Sequence, residues 1–346
     1  MTRVLHAMAG APQGGAEAFF ERLVVALGRA GLEQRVAIRS DAGRAQRLRV
    51  GGIEPVELSF GGPLDLATPL ALARRMRDFD PDIVLAFMNR AAAKLPPRWM
   101  TGPRAVRVGR LGGYYDLKYY SRCDRLIGNT RGICDWIVQQ GWPAAKVDYL
   151  PNFVDGTGAA PAARADFTTP DDAKLLLALG RLHPNKGFDV LLEALARLPL
   201  AYLWIAGAGD LDAELKAQAE HQGLGSRVRF LGWRQDVAAL IAACDVLVCP
   251  SRHEPLGNVV IEGWAHRRPV VAAASAGPAS LIQHGESGLL APVDDAGALA
   301  DALRDVLTDA NLARRLALAG EAAYQAEFTQ EAVVRRYLDF FDAARS

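Results

Sequence analysis

Arg181 and Lys186 stand five residues apart in "RLHPNKGFDVLLEAL", directly after Gly180 and the apolar run Leu175–Leu179. The stretch reads as a strand turning into a helix, and that makes the two cations conspicuous. A helix N-terminus carries partial positive charge, so basic side chains gather there at a cost unless an anion sits among them. Further on, the strand-like DVLVCP runs into "SRHEPLGNVVIEGWAHRRPVV", with Glu254 in the loop, Gly257 and Asn258 opening a helix and Glu262 inside it. An ionised carboxylate accepts two hydrogen bonds in fixed geometry, which suits sugar hydroxyls. A loop residue such as Glu254 ordinarily faces solvent, whereas Glu262, between Ile261 and Trp264, calls for a partner because an idle charge in apolar surroundings is costly. Near the start, "HAMAGAPQGGAEAFFERL" sets Gly14 and Gly15 just ahead of a helix. Glycines there let a backbone approach a phosphate closely, although a plain tight turn is the simpler explanation.

The elements that must position these residues alternate along most of the chain. RVLHAMAG precedes AEAFFERLVVALGRAG, RLIGNT precedes RGICDWIVQQGW, KLLLALG precedes FDVLLEALARL, AYLWIAG precedes DAELKAQAEHQG, and VRFLG, DVLVCP and PVVAAAS continue the series. Short aliphatic runs between stretches of helical period mean βαβ units and parallel sheets, an α/β fold. With 346 residues, half of them hydrophobic, two cores fit better than one. The Pro-, Gly- and Ala-rich stretch at 151–172 breaks the periodicity and is the expected linker, giving domains at 1–155 and 165–329. The final stretch, 330–346, has Val333, Tyr337, Phe340 and Phe341 on one helical face and needs a surface to pack on. In open α/β domains ligands lie beyond the carboxyl ends of the strands, where helix N-termini point their unpaired N–H groups.

Composition narrows the setting. The four cysteines show no metal spacing, the first residues lack the basic and long apolar regions of a secretory signal, and no apolar run approaches the roughly 18 residues of a spanning helix. A cytoplasmic location with free thiols is expected. Net charge is +1, yet residues 1–150 hold 22 Lys and Arg against 14 Asp and Glu, leaving 18 against 25 for the remainder, so the halves are +8 and −7. Nine bases fall between Lys94 and Arg131 with only two acids, Asp116 and Asp124. Such a patch attracts anionic partners, including an anionic membrane surface, but it carries no base-reading motif and no nucleic-acid partner is expected.

Two other chemistries fit poorly. Asp78, Asp80 and Asp82 form overlapping D-x-D patterns, but they precede the strand DIVLAF and so lie at the wrong end for a ligand; Asp210 and Asp212 lie where N-cap acids belong. No metal is expected. A dinucleotide-binding dehydrogenase needs G-x-G-x-x-G after its first strand, and "GAPQGGAE" lacks that spacing.

Taken together, E-x7-E at Glu254 to Glu262, GR-x4-KG at Gly180 to Gly187 and GGAE at Gly14 to Glu17 resemble the retaining glycosyltransferases of family 4 over nearly the full chain. The resemblance implies the GT-B fold, two Rossmann-like doubly wound parallel-sheet domains facing a cleft, with the first taking the acceptor, the second the nucleotide-sugar donor, and the helix at 330–346 packing back on the first. It implies that Arg181 and Lys186 clamp the donor diphosphate, where fixed cations stabilise a departing anion. Glu262 would accept the ribose hydroxyls and Glu254 would contact the transferred sugar. Backbone N–H groups at Leu256, Gly257 and Asn258 would meet the phosphates, with Gly15 approaching them from the other domain. Glu254, Arg181 and Lys186 are then the catalytic set, acting in front-face attack with retention and with no protein nucleophile, no metal and no cofactor.

The pattern departs from the family on the acceptor side, where many members carry histidines. Here Phe87, Met88 and Asn89 and the segment "RVGRLGGYYDLKYY" stand in those places, making Asn89, Arg110, Tyr114 and Lys118 the acceptor-side candidates. The expected function is transfer of a hexose-type sugar from a nucleoside-diphosphate sugar, UDP favoured over GDP, to a lipid-linked or phosphorylated glycan in lipopolysaccharide or other surface-polysaccharide synthesis. The setting would be the cytoplasm or the inner face of the cell membrane. The alternative is a non-catalytic nucleotide- or glycan-binding protein of the same fold, which could dispense with Lys186 and Glu254.

Overall fold

The computed structural model describes residues 2–11, 14–62 and 64–345. It divides into two compact units, Met1–Phe153 with Gln330–Ser346, and Val154–Thr329.

The first unit runs β1 (Arg3–Met8), α1 (Gly15–Arg29), β2 (Glu33–Arg39), α2 (Ala42–Val50), β3 (Pro55–Leu58), α3 (Ala67–Phe79), β4 (Ile83–Phe87), α4 (Met88–Ala93), β5 (Val106–Leu111), β6 (Arg125–Gly128), α5 (Arg131–Gln139) and β7 (Val147–Tyr149). Its seven strands are parallel in the order β3-β2-β1-β4-β5-β6-β7. Side chains alternate across the sheet with the period of two that a strand imposes. Val4 and Met8 of β1 point into a core with Phe19, Phe20 and Leu23 of α1 and Leu48 of α2, whereas Leu5 and Ala7 point into the opposite core with α3, α4 and α5.

The second unit runs β8 (Lys174–Leu179), α6 (Phe188–Ala196), β9 (Ala201–Ala206), α7 (Asp212–His221), β10 (Val228–Gly232), α8 (Val237–Ala243), β11 (Val246–Cys249), α9 (Asn258–Ala265), β12 (Val270–Ala273), α10 (Ala276–Leu281), β13 (Leu289–Ala291), α11 (Ala296–Thr308) and α12 (Ala310–Glu327). Six parallel strands follow the order β10-β9-β8-β11-β12-β13. Leu176 and Ala178 face α6, α7 and α11, and Leu175 and Leu177 face α8, α9 and α12.

The last helix, α13 (Gln330–Arg345), buries Val333, Tyr337, Phe340 and Phe341 in the first unit's core. Each such side chain contributes about 1.5–3 kcal/mol of transfer free energy. The Pro/Gly/Ala-rich stretch is largely part of the second unit. Ala162 donates to Ala239 O at 3.0 Å, and the Arg164 guanidinium reaches Asp171 O, Ala173 O and Asp245 Oδ2.

Among the described residues no helix is long and apolar enough to cross a membrane.

Candidate active site

Strand order reverses between β8 and β11 in the second unit and between β1 and β4 in the first. At such a point the loops leaving neighbouring strands diverge to opposite faces and open a crevice at the carboxyl ends. The loops after β8 and β11 are the two that carry Arg181, Lys186 and Glu254.

Lys186 closes a 3-10 turn, Pro184–Lys186, in which His183 Nδ1 accepts from Asn185 N at 3.2 Å. Gly187 follows with φ 63° and caps α6. A Cβ there would stand 2.2 Å from the Pro250 carbonyl oxygen, so only glycine lets the two loops pass so closely. Lys186 Nζ then donates to Glu254 Oε2, while Glu254 Oε1 accepts from Gly257 N at 3.3 Å. The Glu254 carbonyl accepts from Gly277 N at 2.7 Å, and a Cβ on Gly277 would lie 2.5 Å from that oxygen. Lys186 and Gly257 N thus hold the carboxylate, and Gly277 N holds the backbone behind it.

The Lys186 and Glu254 side chains are 24% and 12% exposed, shielded enough to strengthen their attraction yet open to a ligand. Arg181 lies between two backbone anchors, Gly180 N to Ala206 O at 3.1 Å and Leu182 N to Ala208 O at 3.0 Å. Its side chain is exposed and, among the described residues, has no acidic partner. The site therefore holds one neutralised ion pair plus one unneutralised guanidinium. Leu256 is buried, Gly257 caps α9, and Asn258 and Glu262 are half-buried on one face of α9, four residues apart.

Sequence reasoning passed over Arg252, which braces both loops. Its guanidinium donates to Pro184 O at 2.9 Å, to Asp189 Oδ1 at 2.7 Å and to Asp294 Oδ1 at 2.5 Å. Burial disfavours the Asp189 charge, yet hydrogen bonds from Arg252 hold that carboxyl below the usual carboxylate range. Cys249, at the end of β11, is a core thiol: burial, reinforced by the Glu254 carboxylate, pushes it up to about 11.

In the first unit Gly15 is the opening residue of α1, and Gly14 ahead of it offers no side-chain cap. The loop before them is anchored at Ala11. Ala11 N donates to Glu17 Oε1 at 2.8 Å, and Ala11 O accepts from Arg44 Nη2, with Arg44 also bonded to Glu21 at 3.2 Å. Glu17 is 6% exposed and Arg44 is fully buried. Glu17 belongs to the GGAE motif, whereas nothing in the spacing announces Arg44.

The acceptor-side candidates do not converge. Arg110 is a correction: it is 1% exposed and lines no open surface. Its Nε donates to the Tyr337 hydroxyl at 2.8 Å, its Nη2 donates to Asn152, and its guanidinium lies 4.5 Å from the Phe19 ring centroid. Lys118 is exposed and paired with Asp116 at 2.7 Å, and Tyr114 stands edge-on to Trp136 at 5.6 Å. Asn89 remains at the β4 exit, where its Oδ1 accepts from Arg90 N at 2.8 Å. The preceding residue, Met88, has φ 65°, a strained conformation for a residue with a side chain.

The D-x-D acids are occupied with structure at the amino ends of β1 and β4. Asp82 accepts from Arg3 N at 2.9 Å, and Asp80 pairs with Arg3 at 3.0 Å and with Arg104. Among the described residues no cluster of His, Cys, Asp or Glu is arranged to hold a metal ion.

The chain is similar to known proteins along most of its length. Residues 13–157 match Glycosyltransferase Family 4 and residues 173–309 match the glycosyl transferases group 1 family. The lipopolysaccharide core biosynthesis glycosyltransferase LpsE of Rhizobium meliloti is 38% identical over 94% of this chain and 95% of its own. The chain belongs to glycosyltransferase family 4. The core biosynthesis glycosyltransferase LpsD of the same organism is 34% identical to this enzyme over 98% of both chains. Among solved structures, Anabaena Alr3699/HepE in complex with UDP superposes with a TM-score of 0.85 at 22% identity, covering 99% of this enzyme and 100% of that chain. The two parallel-sheet units of the glycosyltransferase are thus those of the GT-B fold.

Proposed function

We propose that the enzyme transfers a hexose-type sugar, with retention and without a metal or cofactor, from a UDP-sugar to a lipid-linked or phosphorylated glycan of the lipopolysaccharide core or a related surface polysaccharide. Support for the pathway comes from LpsE and LpsD, which are core biosynthesis glycosyltransferases over nearly the full chain. Support for the nucleotide comes from HepE, whose structures hold UDP and UDP-glucose.

The observation that carries the mechanism is the Lys186–Glu254 pair at the strand-order reversal, with Arg181 on the same loop as Lys186 and without an acidic partner among the described residues. Negative charge gathers on the diphosphate as the glycosidic bond breaks. Arg181 and Lys186 are placed to receive that charge, and such fixed donors supply about 3–4 kcal/mol each where the site excludes water. The N–H groups of Leu256 and Asn258 at the start of α9 add to the field, whereas Gly257 N is spent on Glu254. Glu262 takes the ribose hydroxyls and Glu254 a hydroxyl of the sugar. Glu254 is committed to Lys186 and Gly257 N, which fits a binding role and leaves it poorly disposed as a nucleophile. Acceptor attack on the face of the departing phosphate follows, with the phosphate itself receiving the proton and Asn89 the remaining candidate for holding the acceptor. The reaction takes place in the cytoplasm at the inner face of the membrane.

The test is the anomeric configuration of the product. A UDP-α-hexose and a phosphorylated core acceptor are incubated with excess chelator, and the anomeric proton coupling is read by NMR. An α-linked product at undiminished rate is expected. A β-linked product, or loss of activity in chelator, contradicts the proposal.

A further inference from the structure

Directly after β6, at the carboxyl end of the first unit's sheet, stands Asn129, which is 3% exposed. Its side-chain Oδ1 is buried and has no hydrogen-bond partner among the described residues. An asparagine between a strand and a helix ordinarily caps the helix. Here the next residue does so instead: the Thr130 hydroxyl accepts from Ile133 N at 3.1 Å and opens α5. A buried carboxamide left unpaired is costly, so its position calls for a partner from outside the chain.

The loop after β5 leaves room for that partner. Gly112 and Gly113 follow Leu111, the last residue of β5, and neither has the left-handed backbone that demands glycine. A Cβ on Gly112 would meet only Asn129 Nδ2, at 3.7 Å, and the nearest neighbour of one on Gly113 would be Tyr115 Cζ at 3.5 Å. Packing does not require the two glycines either. What their missing side chains provide is open space beside the carboxamide.

The wall of that space continues from the same loop. Tyr115 N donates to Gly113 O at 3.1 Å, folding the half-buried ring back over Gly113. Burial, and after it the Glu17 carboxylate, raises the Tyr115 hydroxyl pKa above its ordinary value, so the phenol stays protonated and able to donate. Glu17 is itself 6% exposed, on the helix that follows β1.

Chemistry says what fits. A phosphate entering between Tyr115 and Asn129 would be repelled by Glu17 and would find the Arg110 guanidinium already committed to Tyr337 and Asn152. A carboxamide, by contrast, offers an acceptor and a donor side by side, the complement of two adjacent hydroxyls.

We infer that Asn129 binds the acceptor: its carboxamide pairs with adjacent hydroxyls of a neutral sugar unit lying over Gly112 and Gly113, and the Tyr115 hydroxyl donates to the same unit. The inference rests on the reading that the first unit takes the acceptor. It narrows that reading to a neutral sugar at the binding point, with any phosphate or lipid farther along the glycan.

The experiment uses wild type, Asn129→Leu and Asn129→Ala in saturation-transfer NMR with the methyl α-glycosides of glucose, galactose and mannose and with mannose 6-phosphate, all in the presence of UDP. Thermal melts of each protein, with and without UDP, accompany it. Wild type is expected to transfer saturation to at least one neutral glycoside, and both variants to bind that glycoside about tenfold more weakly or worse. Leucine matches asparagine in size, so replacing an unpaired buried amide by it should leave the melting temperature equal to that of wild type or higher, with UDP stabilisation unchanged. Equal glycoside binding by wild type and either variant overturns the assignment. So does a wild type that binds none of the glycosides, or one that prefers mannose 6-phosphate through Asn129. A fall in the melting temperature of Asn129→Leu assigns the carboxamide to the fold and overturns it as well. Failure of UDP to stabilise wild type strikes instead at the donor-site reading, independently of the glycoside result.

Discussion

Lys186 Nζ donates to Glu254 Oε2, joining the loop after β8 to the loop after β11 across the point where the strand order reverses. The pair keeps two charges in place before any donor arrives, so the cation and the carboxylate need no rearrangement when the diphosphate leaves. Removing the cation exposes this directly. Lys186→Ala is expected to lower kcat by about two to three orders of magnitude, in the range seen when a transition-state donor is lost. It also strands a carboxylate that is 12% exposed, costing about 1–2 kcal/mol of stability after solvent screening. Steady-state kinetics and a urea melt measure the two effects separately.

Gly187→Ala tests the close passage of the loops. The new methyl group would meet the Pro250 carbonyl, a backbone atom that cannot turn aside, at a residue whose φ is 63°. A stability loss of about 2–4 kcal/mol is expected, with UDP affinity falling by more than the melt accounts for, because Lys186 is carried away from Glu254. Isothermal titration with UDP below the melting transition reads that second part.

Arg110→Met separates structure from acceptor binding. The guanidinium is a buried strut between Tyr337 and Asn152, packed on Phe19. Its loss leaves polar partners unsatisfied and should cost about 2–4 kcal/mol. The folded fraction should keep its acceptor KM, so denaturation and acceptor kinetics on the same preparation distinguish the strut from a ligand contact.

His6 sets an acid limit on the first unit. Complete burial pushes its pKa down to about 3, with Gln34 offsetting this only in part. Its unfolded value is near 6.5, so between those limits the unfolded chain binds more protons than the folded one. Its contribution to stability is complete above about pH 6.5 and is lost as pH falls toward 3, at about 1.4 kcal/mol per pH unit. Urea melts from pH 7 to pH 4 should show that slope for wild type and a smaller one for His6→Leu.

Much of the second unit was legible in the sequence because its strands are plain aliphatic runs. KLLLALG, AYLWIAG and DVLVCP became β8, β9 and β11, and the polar residues after them lie at the carboxyl ends as expected. The first unit was less legible where charge interrupts the pattern. β2 reads EQRVAIR, with only its later residues buried, and β3 has four residues beginning with proline. β5 reads VRVGRL, and its two arginines looked like part of a basic surface patch. Both are buried instead, Arg107 on Pro96 O and Thr101 and Arg110 on Tyr337 and Asn152. A guanidinium can enter a core when distant residues supply acceptors and an aromatic face. Those partners lie 42 and 227 positions away for Arg110, beyond the reach of any local pattern. The same holds for Arg44 on Ala11 O and for Arg252 on Asp189 and Asp294.

Thermal stabilisation by UDP, GDP, ADP and CMP without added metal, on wild type and Glu262→Ala, asks most directly whether the loops after β8 and β11 hold a nucleoside diphosphate. UDP at about one hundred times its dissociation constant should add about 2.7 kcal/mol to wild type, the other nucleotides much less, and the variant should lose most of the UDP effect. If no nucleotide shifts wild type, or if UDP stabilises Glu262→Ala equally well, the donor site is not where these residues place it.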